Sequence, residues 1–210
     1  MEHIKLYREE TVGEGERRRV VQGPMRPEDL DKLTLHPQLD AFRRPAEQHA
    51  ALVEIAGLPE GRIIAAVEGE TVVGYVTFHY PDEYERWSEG KMDDLIELGA
   101  IEVANDYRGE GLSKKLLEIA FSGGQLDNAI VFTTEYYWHW DLESTRLSVW
   151  DYRKMMEDLM KNVDMVWFAT DDPEICSHPA NCLMVRVGRY VPQDSVEDFD
   201  RLRFRQRFMY

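Results

Sequence analysis

Residues 108–113 read Arg-Gly-Glu-Gly-Leu-Ser, with Lys114 next. Two glycines one residue apart let a backbone take turn angles that other residues resist, and let a guest approach closely. The stretch runs into LSKKLLEIAF, whose Leu112, Leu116, Leu117 and Ala120 recur at helical spacing. The turn therefore opens a helix. The first N–H groups of a helix lack internal partners, and its dipole makes that end partly positive. An anion, above all a phosphate or pyrophosphate, is the expected guest, with Arg108 and Lys114 adding charge at the rim. The P-loop pattern does not fit, and the dinucleotide pattern G-x-G-x-x-G fails because its third position is Lys114.

A second chemical signal precedes the turn. LIELGAIEV (95–103) is apolar except for Glu97 and Glu102. Carboxylates in a buried strand are unfavourable unless they are paired or used, so both are candidate acid–base groups. Strand alternation puts them on opposite faces unless a bulge intervenes, and the sequence does not choose between them. His178 and Asn181, in SHPANCLMVRVG, form a further polar pair. No nucleophile motif such as G-x-S-x-G occurs, and no His, Cys or Asp set has the spacing of metal ligands.

The surrounding elements follow from periodicity. HIKLY and RRRVVQG read as strands, the RRR run being a solvated strand entry. PEDLDKLTL reads as a short helix and RRPAEQHAALVEIAGL as a longer one opened by Pro45. RIIAAV and TVVGYVTFHY form a hairpin through Gly69. DEYERWSEGKMDD reads as a loop, and 95–103 as a central strand covered on both faces. Beyond Gly123-Gly124, AIVFTTE starts a strand that ends in the aromatic cluster Tyr136, Tyr137, Trp138, His139 and Trp140, either core or a docking face. Residues 144–161 read as a helix, MVWFATDD as a strand, and SHPANCLMVRVG as a short helix from Pro179 to Gly188. The tail RLRFRQRF alternates like a half-buried strand, lining up Arg201, Arg203, Arg205 and Arg207. Hairpins mixed with one strand–turn–helix crossover imply an α/β fold on a mixed sheet.

Composition bounds the rest. The chain has 210 residues, 43% of them hydrophobic, and a formal net charge of -15. One domain over 1–210 is expected. The acidic balance argues against nucleic acid, and no apolar run reaches the roughly 20 residues of a membrane span. Two cysteines, Cys176 and Cys182, make no disulfide framework, and a charged N-terminus without an apolar core fits the cytoplasm.

Arg-x-x-Gly-x-Ser at 108–113, between strand and helix, resembles the pyrophosphate loop of the GCN5-related N-acetyltransferases (GNAT family). The resemblance implies a central, mixed but mostly antiparallel twisted sheet flanked by helices, and acetyl-CoA as cosubstrate without a metal. In that family the pyrophosphate rests on the N–H groups of Gly109, Glu110, Gly111, Leu112, Ser113 and Lys114 beside Arg108, and the pantetheine pairs with backbone near Val103. Glu97 lies six residues before Val103, where histone-type members carry their base, and Glu102 lies nearer the thioester. The family's N-x-x-A-x-x-x-Y-x-x-x-G helix, aligned on Gly188, offers Ser177, Ala180 and Met184, the last in place of the tyrosine that reprotonates the thiolate. His178 and Asn181 would then meet the thiol or pantetheine. About 134–163 looks like an insertion relative to a minimal acetyltransferase.

The phrases IVFTTEYYWHWD, LSVWDYR, WFATDDPEI and LRFRQRFMY resemble the acetoin-utilisation branch of the family. That resemblance implies acetylation of a lysine on a protein, acetyl-CoA synthetase, which switches that enzyme off. The alternatives are acetylation of a small amine and a non-catalytic acyl-CoA-binding regulator.

Overall fold

The computed structural model describes residues 2–205. These form two compact units. The first holds residues 2–79 and 98–125. Its strands are β1 (Arg8–Val12), β2 (Arg19–Gly23), the short β3 (Thr34–Leu35), β4 (Arg62–Glu68), β5 (Thr71–His79) and the last part of β6 (Leu95–Val103). Their order is β1-β2-β4-β5-β6, with β3 parallel beside β5 and the other registered pairs antiparallel. The helices are α1 (Pro27–Leu30), α2 (Pro45–Gly57) and α3 (Leu112–Phe121). Pro45 begins α2 as its fixed φ favours, and Leu52 and Ala56 turn inward. Met25, Leu30, Leu52, Ile63, Val72 and Tyr75 share one core, each large side chain contributing about 1.5–3 kcal/mol on burial.

The second unit holds Tyr80–Glu97 and the chain from Leu126 onward. Its sheet runs from the first residues of β6 through β7 (Ile130–Glu135) and β9 (Cys182–Val187) to β8 (Val166–Phe168). β6 and β7 are parallel over Leu95–Glu97, whereas β9 is antiparallel to both its neighbours. Helices α4 (Leu142–Thr145), α5 (Val149–Lys161) and α6 (Gln193–Arg203) complete it. Trp87, Phe132, Phe199 and Leu202 build its core, with Trp87 and Phe199 stacked at 5.9 Å. The architecture is the expected mixed α/β one, a mostly antiparallel sheet flanked by helices.

Several elements differ from the sequence reading. HIKLY is not a strand; the strand is Arg8–Val12, whose residues are nearly all exposed. Such an edge is held by backbone pairing with β2, so its side chains carry no apolar pattern. PEDLDKLTL is α1 followed by β3. The loop at 82–94 contains a 3-10 helix, Arg86–Gly90, that seats buried Trp87. The helix expected over 144–161 is broken into α4 and α5, with Arg146 in the left-handed region between them.

Two corrections bear on function. Residues 182–187 are a strand and not a helix, so Met184 is a buried strand residue and the tyrosine alignment on Gly188 has no helix to rest on. The described start of the tail belongs to helix α6, which ends at Arg203 and in which Asp198–Arg201 and Asp200–Arg203 are i,i+3 ion pairs. Arg201 and Arg203 therefore form no strand ladder, Arg205 pairs with Glu89, and Arg207 lies outside the described residues.

Candidate active site

The candidate anion cradle, Val103 and residues 108–114, lies wholly in the first unit. Val103 ends β6, a single 3-10 turn spans Asn105–Tyr107, and Gly111 is the N-cap of α3. Gly109 and Gly111 both have φ +79°, the left-handed region where a Cβ is strained, and nothing stands within 4 Å of where either Cβ would sit. The glycines are thus set by backbone angle and not by crowding. No side chain caps α3, and its first turn holds no acidic residue. The N–H groups of Leu112, Ser113 and Lys114 are the ones a helix leaves without internal partners.

Side chains brace this turn from several sides. Arg108 Nε donates to the Val103 carbonyl at 3.1 Å. The Asp106 N–H donates to Gln38 Oε1 at 3.1 Å, and the Tyr107 hydroxyl to Glu68 at 2.6 Å. Lys114 leans toward Glu118 at 3.9 Å, and Lys115 toward Glu10 at 2.9 Å. Glu110, an acid inside an anion cradle, is ion-paired with Arg19 and lies 3.7 Å from Arg17.

The two strand carboxyls have different surroundings. Glu102, 6% exposed, accepts from the Tyr75 hydroxyl at 2.6 Å and from the Ala41 N–H at 2.9 Å. Burial raises its pKa while those hydrogen bonds oppose the rise. Its oxygens are engaged in tying the 40–41 segment to β6. Glu97 lies in the second unit, 9% exposed and paired in register with Phe132. Burial first, then the charges of Glu85 and Asp82, push its carboxyl up to about 8. A group poised near the working pH suits proton transfer.

His178 and Asn181 also lie in the second unit. Asn181 is 5% exposed, its Oδ1 accepting from the Tyr137 N–H at 3.0 Å and its Nδ2 donating to the Glu174 carbonyl at 3.2 Å. It brackets two loops. His178 Nδ1 accepts from the Ala180 N–H at 3.1 Å, and its ring lies 4.1 Å from that of Tyr137. The aromatic cluster divides: Trp140 is buried and stacks on Tyr152 at 5.1 Å, whereas Trp138 is 45% exposed.

A family model described as "Acetyltransferase (GNAT) family" matches residues 29–135, a span that holds the cradle and both strand carboxyls. The chain belongs to the GNAT family. It is accordingly an acyltransferase. Two "Acetoin utilization protein AcuA" sequences are similar over their whole length: that of Bacillus subtilis (strain 168) at 59% identity over 210 residues and that of Bacillus licheniformis at 56%, each covering 100% of both chains. A crystal structure of an acetoin utilization protein from Exiguobacterium sibiricum 255-15 superposes with a TM-score of 0.95 at 53% identity, over 99% of this chain and 98% of that one. Among the described residues, no helix is long and apolar enough to cross a membrane.

Within this GNAT chain, the first unit brings Glu102, Val103 and Arg108–Lys114 together, while Glu97, His178 and Asn181 belong to the second. Sequence reasoning missed Tyr75, Glu68 and Arg19, all on strands outside the motif. It also missed Asp82 and Glu85, whose charges add to burial in raising the proton affinity of Glu97. The crowding of acids in DEYERWSE was the available signal for that pair. Glu135 was overlooked as well: it accepts from Trp140 Nε1 at 3.1 Å, and burial pushes it up to about 7.

Proposed function

We propose that this chain transfers acetyl from acetyl-CoA to a lysine side chain of a protein, and that the protein is acetyl-CoA synthetase, which is inactivated. The pyrophosphate rests on the N–H groups of residues 109–114, and the pantetheine pairs with the β6 backbone near Val103. The observation that carries this is the left-handed pair Gly109 and Gly111 opening the uncapped helix α3. The protein target rests on full-length likeness to proteins named for acetoin utilisation, aromatic segment included.

A lysine has a pKa of about 10.4 in water and is nearly all ammonium at neutral pH. Glu97 removes the proton, directly or through water. Its raised pKa makes it the stronger base of the two candidates, and its oxygens are not engaged as those of Glu102 are. The freed amine adds to the thioester carbonyl, whose oxyanion meets a β6 backbone N–H near Val103. The nitrogen then gives up its second proton to water or to the departing sulfur, the C–S bond breaks, the new amide C–N bond remains, and CoA leaves as the thiolate or thiol. With a thiol pKa of about 8.5 that departure needs little acid help.

The test is to incubate the protein with labelled acetyl-CoA and acetyl-CoA synthetase. Label on one synthetase lysine, with loss of synthetase activity, is expected. Label on polyamines or aminoglycosides and on no protein would instead make it a small-amine acetyltransferase. Binding of acetyl-CoA without transfer to either would make it a regulator.

A further inference from the structure

The cradle carries a negative charge of its own. Glu110 is the sole acid between Arg108 and Lys114. Left free, it would oppose a pyrophosphate arriving at the adjacent N–H groups. Its carboxylate is instead gripped by Arg19, which lies far off in sequence at the start of β2. Of the run Arg17-Arg18-Arg19, only Arg19 is buried, at 6% exposure. Its Nε donates to Glu68 at 3.1 Å, and its guanidinium lies 4.8 Å from the centre of the Tyr107 ring. Tyr107 is in turn hydrogen-bonded to the same Glu68. One planar guanidinium therefore fixes the residue that enters the glycine turn and the acid in its middle, a task that suits the rigid fork of arginine and not the single ammonium of lysine.

We propose that Arg19 is a positioning residue for acetyl-CoA: by pairing with Glu110 and bracing Tyr107, it neutralises the acid between Arg108 and Lys114 that would repel the pyrophosphate. This rests on the reading that the pyrophosphate occupies the cradle. Arg19 is assigned no contact with the cosubstrate.

The test measures dissociation constants by calorimetry for acetyl-CoA and for acetyl-pantetheine, which lacks the pyrophosphate. The proteins are the wild type, Arg19→Gln, Arg19→Lys and Arg19→Gln/Glu110→Gln. The wild type should prefer acetyl-CoA. Arg19→Gln should weaken acetyl-CoA about tenfold, near 1.4 kcal/mol, and leave acetyl-pantetheine unchanged. Removing the acid that has lost its buried partner should, in the double variant, restore acetyl-CoA binding to within about threefold of the wild type. Should Arg19→Gln not fold, Arg19→Lys keeps the charge, and its smaller loss should likewise be confined to acetyl-CoA. Equal weakening of both ligands, or no rescue by Glu110→Gln, would overturn the inference and leave Arg19 a plain stabiliser of the fold. A wild type that binds the two ligands alike would instead overturn the cradle reading, and this inference with it.

Discussion

Replacing Glu97 by glutamine should make the protein more stable and nearly inactive, and the stability gain should depend on pH in a way no packing change can imitate. The carboxyl is pushed from its ordinary 4.5 up to about 8, mainly by burial and further by Glu85 and Asp82. A carboxyl that holds its proton more tightly when folded supports folding fully below the unfolded pKa. It loses that support as pH rises through the folded one. Each tenfold difference in proton affinity between the folded and unfolded chain corresponds to about 1.4 kcal/mol. At pH 5 the charge therefore costs under about 1 kcal/mol, and at pH 7 about 3 kcal/mol. Glutamine keeps the shape and cannot ionise. For a chain of this size each kcal/mol moves Tm by about 2–4 °C, so the variant should melt about 6–12 °C higher at pH 7 and only about 1–3 °C higher at pH 5. Thermal melts at pH 5, 6, 7 and 8 read this directly, and kcat measured on the same preparations should fall by about 10²–10⁴. A Tm difference that stays constant across pH, or a Glu97 carboxyl that titrates near 4.5 by NMR, would refute the reasoning.

Other consequences are more local. With Glu97 as base, kcat/KM should rise through about pH 8 as its carboxyl ionises, and that rise should vanish in Glu97→Gln, as pH–rate profiles of the two proteins will show. Tyr75→Phe removes a 2.6 Å hydrogen bond from Glu102 and should cost about 1–3 kcal/mol in denaturant melts with kcat within about threefold; an inactive but stable variant would make Glu102 the base after all. Gly111→Ala has open space but a φ of +79°. It should lose about 1–2 kcal/mol in the same melts and raise the KM for acetyl-CoA more than it lowers kcat.

What the sequence made legible depended on whether a residue's role shows in its own neighbourhood. The strand–turn–helix was readable because its parts are contiguous: an apolar strand, glycines that free the backbone, and a helix whose Leu112, Leu116 and Leu117 repeat on one face, all now buried. Edge strand β1 was not, because REETV makes its contribution through backbone bonds to β2 and has no side-chain pattern to betray it. The strand at 182–187 misleads for a different reason. Its apolar, β-branched run is strand-like, but Pro179 before it and Gly188 after it read as helix start and stop signals and mask that pattern. In the tail, Arg alternation at period two masks the helical pairing of Phe199 with Leu202 and of Arg201 and Arg203 with an acid three residues earlier.

The choice between Glu97 and Glu102 was beyond any local pattern. Both are buried acids on one strand, and they differ only in what distant chain brings to them. Tyr75 and the 40–41 segment supply donors to Glu102, whereas Asp82 and Glu85 supply like charge to Glu97. A buried carboxyl supplied with donors is stabilised where it stands. One buried without donors, and then crowded by like charge, gains by taking up a proton, which is the property the proposed mechanism asks of its base.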